Sequence, residues 1–333
     1  MSSRSDLIAL FLQQYFTNEP YSLTAISGDA SFRRYFRVST ARQTYVLMDA
    51  PVPQEDCGRF VATQQSLAVA GLLVPQLLAK ELDQGLLLLS DLGDQLLQPL
   101  LNEQTAVDWY RQALALLPKI RSIAATSAGP LPEFDQAFVL RELMICPEWF
   151  LGTHLQLELS EQDWALWQQA FSLLSDAAMQ QPKAGMHRDY HSRNLMPQAD
   201  GQLAVIDFQD IVLGPVSYDA VSLLKDCYVK WPPALVQQLA IEFYQQLQQR
   251  GELSSEVSEQ TFLRWFDWMG LQRHIKVLGI FSRLYHRDNK AGYLPDLPRV
   301  LGYVLECCQR YPEFQPLALW LEQHVVPLLA PEY

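Results

Sequence analysis

Two short stretches carry residue types that phosphate chemistry uses. The first is Gly185-Met186-His187-Arg188-Asp189-Tyr190-His191-Ser192-Arg193-Asn194, and the second is Val205-Ile206-Asp207-Phe208. Asp189 and Asn194 lie five apart in a loop, and Asp207 ends a strand thirteen residues after Asn194. Phosphoryl transfer needs a carboxylate to orient an acceptor hydroxyl and take its proton. It also needs oxygen ligands that hold Mg²⁺ against the phosphates of ATP, because Mg²⁺ prefers hard oxygens. Asp189 fits the first task, and Asn194 with Asp207 fits the second. A hairpin between Asn194 and Asp207 would fold both side chains onto one cleft.

The elements that must position these residues change character along the chain. A capped amphipathic helix starts at Ser5-Asp6. Strands follow at Tyr21–Ser27, Phe32–Ser39 and Thr44–Asp49, a helix at Asp56–Ala70, and two more strands at Gln76–Leu82 and Gly85–Ser90. From Asp91 onward helical spacing dominates, at Thr105–Ala124, Gln136–Phe150, Ser160–Gln180, Tyr218–Tyr228, Ala234–Arg250, Ser258–Tyr285 and Leu297–Arg310. The exception is Asn194–Phe208, which reads as strand, Asp200-Gly201 turn, strand. The Ala124–Pro132 stretch reads as a loop of the second lobe. The expected class is α+β, with a β-rich lobe over 1–92 and a mainly helical lobe over 93–333.

Composition narrows the partners. The 333 residues are 49% hydrophobic and 19% charged, the balance of a packed globular chain. No run approaches the roughly 20 apolar residues that span a bilayer, and Met1–Asp6 lacks a signal-peptide layout. A cytoplasmic location without membrane or obligate protein partner is expected. The formal charge is −12, without a lysine- or arginine-rich run, so nucleic acid is not an expected partner. Five scattered cysteines suit a reducing compartment and argue against structural zinc.

The order His187, Asp189, Asn194, Asp207 resembles the protein-kinase signature, in which a catalytic Asp precedes a metal-binding Asn by five and a metal-binding Asp follows on a strand. It departs at Asp207-Phe208-Gln209-Asp210, where protein kinases carry a glycine third, and it lacks an Ala-Pro-Glu element. This variation looks like the aminoglycoside phosphotransferase and choline kinase superfamily, which implies a bilobal kinase-like fold with a helical second lobe for small acceptors. Across nearly the whole chain, Leu47–Pro51, Leu89–Gly93, Arg141–Leu143, Glu148-Trp149, His187–Met196, Asp207–Asp210, Gly214-Pro215, Tyr218-Asp219 and Ser222–Tyr228 resemble the bacterial anomeric cell-wall sugar kinases. That resemblance implies ATP-dependent phosphorylation of the anomeric hydroxyl of N-acetylmuramate and N-acetylglucosamine, feeding a nucleotidylyltransferase in peptidoglycan recycling. It also implies that His187 props the loop and that Asp219 hydrogen-bonds it.

The loop Ser27–Phe32 sits where such folds cover the ATP phosphates, so Gly28, Ser31 and Phe32 are candidate nucleotide contacts; a plain hairpin turn is the competing reading. The third strand ordinarily supplies a phosphate-binding lysine, and Met48 stands there instead. Arg33 and Arg37, on one strand face by two-residue alternation, are candidate replacements, with Glu55 or Asp56 as an orienting carboxylate or an ordinary helix-start acid. ATP is expected between the lobes near Leu89–Leu92, touching Leu89 and Asp91. Glu142, Glu148, Trp149, His191, Gln209 and Asp210 are acceptor-binding candidates. Arg273, Arg283 or Arg287 would pair with an acceptor carboxylate, unless that segment is a solvated face. A kinase for another alcohol and a nucleotide-binding pseudokinase stay open as alternatives.

Overall fold

The computed structural model describes residues 3–26, 33–52 and 55–329. The chain forms two compact units: Met1–Leu97 with Pro118–Leu131 and Arg193–Ile211, and Gln98–Leu117 with Pro132–Ser192 and Val212–Tyr333. Each unit is assembled from separate stretches of the chain. The chain returns to the first unit twice, and 118–131 belongs there rather than with the second.

The first unit is built on a five-stranded antiparallel sheet. Its elements are α1 (Arg4–Tyr15), β1 (Tyr21–Ile26), β2 (Arg34–Thr40), β3 (Thr44–Asp49), α2 (Cys57–Val69), β4 (Leu77–Glu81) and β5 (Leu86–Ser90), with strand order β1-β2-β3-β5-β4. The cap of α1 is Ser3, two residues before the expected Ser5. Ser3 Oγ accepts the Asp6 amide while the Asp6 carboxylate accepts the Ser3 amide, a reciprocal cap. Because strand side chains alternate, Phe36, Val38, Tyr45, Leu47, Leu86 and Leu88 pack beneath Ile8, Phe11 and Leu12 of α1. Truncating a wholly buried residue such as Leu12 to alanine would cost about 2–5 kcal/mol. The other face carries two cross-strand rows, Tyr35–Met48–Leu87 and Arg37–Val46–Leu89. Buried Asp49 accepts from both Arg4 and Arg34, tying α1 to β2 and β3. Gly85 (φ 65°) closes the β4–β5 turn, and a Cβ there would lie 1.9 Å from the Ala50 carbonyl oxygen, so only glycine fits.

A short hairpin completes this unit. Leu195–Pro197 pairs antiparallel with Leu203–Val205. The hairpin is stitched to the rest of the unit by Val205 N–H to the Leu73 carbonyl (2.9 Å) and Leu97 N–H to the Leu195 carbonyl (2.8 Å).

The second unit is mainly helical. Its longest element is a 30-residue helix, Glu259–Asp288, capped by Ser258 and ended at left-handed Asn289. It buries Gln272, Arg273, His274 and Lys276, polar groups that must find partners inside the unit. The stretch expected as one helix over Gln136–Phe150 is α-helical only through Ile145; Cys146–His154 continues as a π-helix. A two-stranded ribbon, Lys183–Met186 against Val212–Pro215, carries no alternation strong enough to mark it in the sequence. No helix among the described residues is long and apolar enough to cross a membrane.

Candidate active site

In the second unit, the ribbon strand ending at Met186 delivers the loop His187–Ser192. The loop is fastened at His187, Arg188, Tyr190 and Ser192. The Asp219 carboxylate accepts the amides of His187 (2.7 Å) and Arg188 (3.0 Å). Arg273 donates to the Arg188 carbonyl (2.6 Å), and the Tyr190 hydroxyl donates to the Ala113 carbonyl (2.8 Å). Asp226 accepts both the amide and the hydroxyl of Ser192, at 3.0 and 2.5 Å. Buried His187 packs edge-on to the Tyr190 ring at 5.7 Å. Arg188 adopts φ 77°, a left-handed conformation that costs a non-glycine residue of order 1–3 kcal/mol, and the flanking hydrogen bonds hold it there.

Asp189 lies in a field of cations. Burial pushes its carboxyl up, but Lys276, Arg273, His191 and Arg188 outweigh that and hold it well below the usual carboxylate range. Those cations are themselves balanced. Glu142 pairs with Arg188 and Lys276, each at 2.9 Å, and accepts from Gln272 (3.1 Å). Despite burial, the two cations keep Glu142 below its ordinary value. Glu142, expected to face the acceptor, is therefore a buried counterion of the loop. Glu148 is exposed and Trp149 half-buried, both on the π-helix. His191 is half-buried beside Tyr228, ring centroids 5.3 Å apart, and its Nδ1 has no hydrogen-bond partner among the described residues.

In the first unit, the hairpin brings together the two residues expected to hold metal. Ile206 N–H donates to the Asn194 carbonyl (3.1 Å), and Asn194 Nδ2 lies 3.5 Å from Asp207 Oδ2. Asp207 is exposed and left-handed (φ 61°), while Phe208 beside it is buried against Phe60 of α2, centroids 5.1 Å apart. Gln209 Nε2 donates to Asp207 Oδ1 (2.7 Å), and its buried Oε1 has no partner among the described residues. Gln209 thus orients Asp207, a task its expected acceptor role did not include; Asp210 is exposed.

The sheet face of this unit holds the remaining candidates. Met48 is fully buried opposite Tyr35. Arg33 pairs with Glu55 (2.7 Å), and both side chains are only 11% exposed, so Glu55 is not an exposed helix-start acid. Burial pushes the Tyr35 phenol up to about 12, with Asp207 and Glu55 adding to the rise and Arg33 opposing it. Arg33, Tyr35 and Asp207 are thus electrostatic neighbours. Arg37 is held instead by Asp91 (2.7 Å) and Asp94 (2.8 Å). Burial raises the Asp91 carboxyl, but Arg37, the Gly93 amide and Thr44 bring it below its ordinary value. Leu89 is buried on this face. Gly28, Ser31 and Phe32 lie outside the described residues.

Sequence reasoning missed Asp226, Tyr35 and Lys276 as parts of the site. Asp226 lies within the stretch Ser222–Tyr228, but its partner Ser192 is 34 residues away and no local pattern links them. Arg273 was expected to meet an acceptor carboxylate; it is buried and holds the Arg188 carbonyl. Arg287 pairs with Asp288 at 2.8 Å.

No three His, Cys, Asp or Glu residues gather as a metal cage among the described residues. One amide and one carboxylate are a donor set that fits Mg²⁺, which usually takes one or two protein ligands and completes its octahedron with substrate phosphates and water. Asp207 is exposed and is oriented by Gln209.

Comparison with known proteins places this geometry. The chain is 44% identical over 296 residues to N-acetylmuramate/N-acetylglucosamine kinase of Pseudomonas putida, covering 89% of this chain and 86% of that one. It is 38% identical over 310 residues to the protein of the same name from Neisseria meningitidis serogroup B, covering 92% of each. Its fold is similar to that of choline kinase LicA from Streptococcus pneumoniae, with a TM-score of 0.62 at 13% identity, covering 91% of this chain and all of that one. The model of the phosphotransferase enzyme family matches residues 22–253, a span that includes the loop, the hairpin and the sheet described above. The chain is a kinase-like α+β protein and belongs to the phosphotransferase enzyme family.

Proposed function

We propose that this protein transfers the γ-phosphoryl group of ATP to the anomeric hydroxyl of N-acetylmuramate and N-acetylglucosamine, releasing a sugar 1-phosphate and ADP, a step suited to recycling of cell-wall sugars. The observation that carries the reading is the setting of Asp189: an ionised carboxylate on a loop fastened through Asp219, Asp226 and Arg273, five residues ahead of the Asn194–Asp207 pair. The names of the relatives supply the acceptor class.

Asp189 accepts a hydrogen bond from the sugar O1–H and so aims that oxygen at the γ-phosphorus. As the new O–P bond forms and the bond to the β–γ bridging oxygen breaks, the O1 proton passes to Asp189. A carboxylate held below its usual range is a weak base. The hydroxyl it serves is more acidic than an ordinary alcohol because the ring oxygen withdraws electrons, and in a loose transition state the proton moves late. Asn194 and Asp207 would hold Mg²⁺, which neutralises phosphate charge when bound. Residues 1–92 would serve as the nucleotide-binding lobe, with Arg33, oriented by Glu55, replacing the lysine that Met48 displaces. Leu89 and Asp91 would border the base, and the loop with Gly28, Ser31 and Phe32 would cover the phosphates. His191 would face the acceptor, while His187 and Asp219 support the loop.

The test is an acceptor screen with γ-labelled ATP, Mg²⁺, N-acetylmuramate, N-acetylglucosamine, choline and an aminoglycoside. Labelled sugar 1-phosphate is the expected product. Label on choline or the aminoglycoside alone, or nucleotide binding without transfer to any acceptor, would sink the reading.

A further inference from the structure

The long helix carries a polar stripe away from Asp189. Lys276, whose charge acts on Asp189, and Arg283 are seven residues apart, two turns at 3.6 residues per turn, so they share a face about 10 Å apart along the axis. The stripe opens as it leaves the loop: Lys276 is buried, Ile280 and Arg283 half-buried, and Arg287 exposed. Two other cations of the stripe have carboxylate partners, Glu142 for Lys276 and Asp288 for Arg287. Among the described residues Arg283 has no carboxylate in salt-bridge contact, although Asp288 and Glu148 act on it electrostatically, and its buried Nε has no hydrogen-bond partner.

Its surroundings are shaped rather than incidental. Gly279, one turn before Arg283, lies so close to the backbone where the π-helix begins that a Cβ would sit 2.5 Å from Ile145. That approach brings Glu148 into electrostatic range of Arg283. π-helical turns are uncommon and recur at functional sites. A half-buried guanidinium with an unanswered N–H, beside an exposed carboxylate that does not pair with it, is a site for a planar anionic group.

We propose that Arg283 pairs with the lactyl carboxylate of N-acetylmuramate and so determines the preference for the acid sugar over N-acetylglucosamine, which lacks that group. This rests on the amino-sugar reading above and deepens it. Lys276 is occupied by Glu142, and Arg273 by the Arg188 carbonyl, which leaves Arg283 as the stripe's cation for a substrate anion. The exposed Glu148 carboxylate tunes the same site by repelling the acid sugar.

The experiment measures kcat/KM for both sugars with the full chain and Mg-ATP. The variants are Arg283→Gln, Arg283→Lys and Glu148→Gln. Arg283→Gln is expected to lower kcat/KM for N-acetylmuramate about 10- to 100-fold, chiefly through KM, as loss of a charge-assisted hydrogen bond implies. Its activity on N-acetylglucosamine should stay within about 3-fold, which also shows that the variant is folded. Arg283→Lys should recover part of the loss, and Glu148→Gln should lower the KM for N-acetylmuramate alone. Equal effects of Arg283→Gln on the two sugars, or none on either, overturn the inference while leaving the kinase reading intact. A wild-type protein that phosphorylates neither sugar overturns the amino-sugar reading and the inference with it.

Discussion

Arg273, on the long helix, donates to the backbone carbonyl of Arg188, a residue held at φ 77° immediately before Asp189. A helix 85 residues further along the chain thus fixes the backbone that aims Asp189. Replacing Arg273 with methionine leaves that carbonyl without its partner and removes one cation acting on Asp189. We expect a stability loss of about 1–3 kcal/mol, as for a buried acceptor left without its donor, and a lower kcat. Thermal melts with steady-state kinetics check both.

Asp189→Asn keeps the shape of the side chain and removes its ability to take a proton. Turnover should fall by about 10²–10⁴-fold with ATP affinity little changed. Because the surrounding cations hold Asp189 ionised well below the ordinary carboxylate range, its protonation should not limit the rate near pH 5. A wild-type kcat/KM that stays flat through pH 5 agrees with this. A limb centred on an ordinary aspartate value would contradict it.

Asp207 combines exposure, a metal-ligand chemistry and left-handed backbone. Asp207→Gly relieves the strain, worth on the order of 1 kcal/mol, while deleting the carboxylate. Phosphoryl transfer should vanish although Tm stays at or above the wild-type value. Loss of both would mean that the carboxylate serves the fold.

Glu142 has a folded-state pKa lowered by Lys276 and Arg188. Its stabilising contribution is therefore fully present above the unfolded value of about 4.3 and is lost as pH falls through the lower folded value. Glu142→Gln should melt below wild type at neutral pH, with the gap closing on acidification beneath pH 4. A gap that is constant with pH would remove the ion pairs as its cause.

Arg37 lies on β2, whereas Arg33 precedes the strand rather than sharing its face, and the two have different partners. Arg33 is paired with Glu55 near Tyr35 and Asp207, whereas Arg37 is clamped by Asp91 and Asp94. Arg33→Ala should raise the KM for ATP about 10-fold or more, the scale of a lost charge-assisted hydrogen bond, and Arg37→Ala should do so less. Nucleotide titrations by fluorescence or calorimetry would expose the reverse order.

The amino-acid sequence by itself determined the elements whose information is local. Alternation bounds β3, the apolar period bounds the helix at Leu297–Arg310, and the Asp200-Gly201 turn marks the hairpin, although its second strand stops at Val205 instead of running to Phe208, so Asp207 lies past the strand end. The spacing of Asp189, Asn194 and Asp207 was likewise legible, because a loop and the hairpin after it keep their chemistry within a few residues. Tertiary structure alone decided what lies across long separations. Asp226 meets Ser192, Glu142 neutralises Arg188 and Lys276, and Gln209 turns inward to Asp207. The ribbon at Lys183–Met186 and the π-helical turn after Ile145 arise the same way. Buried charges find their partners through packing rather than pattern, so a stripe of basic residues on one helix does not reveal which cation is already neutralised.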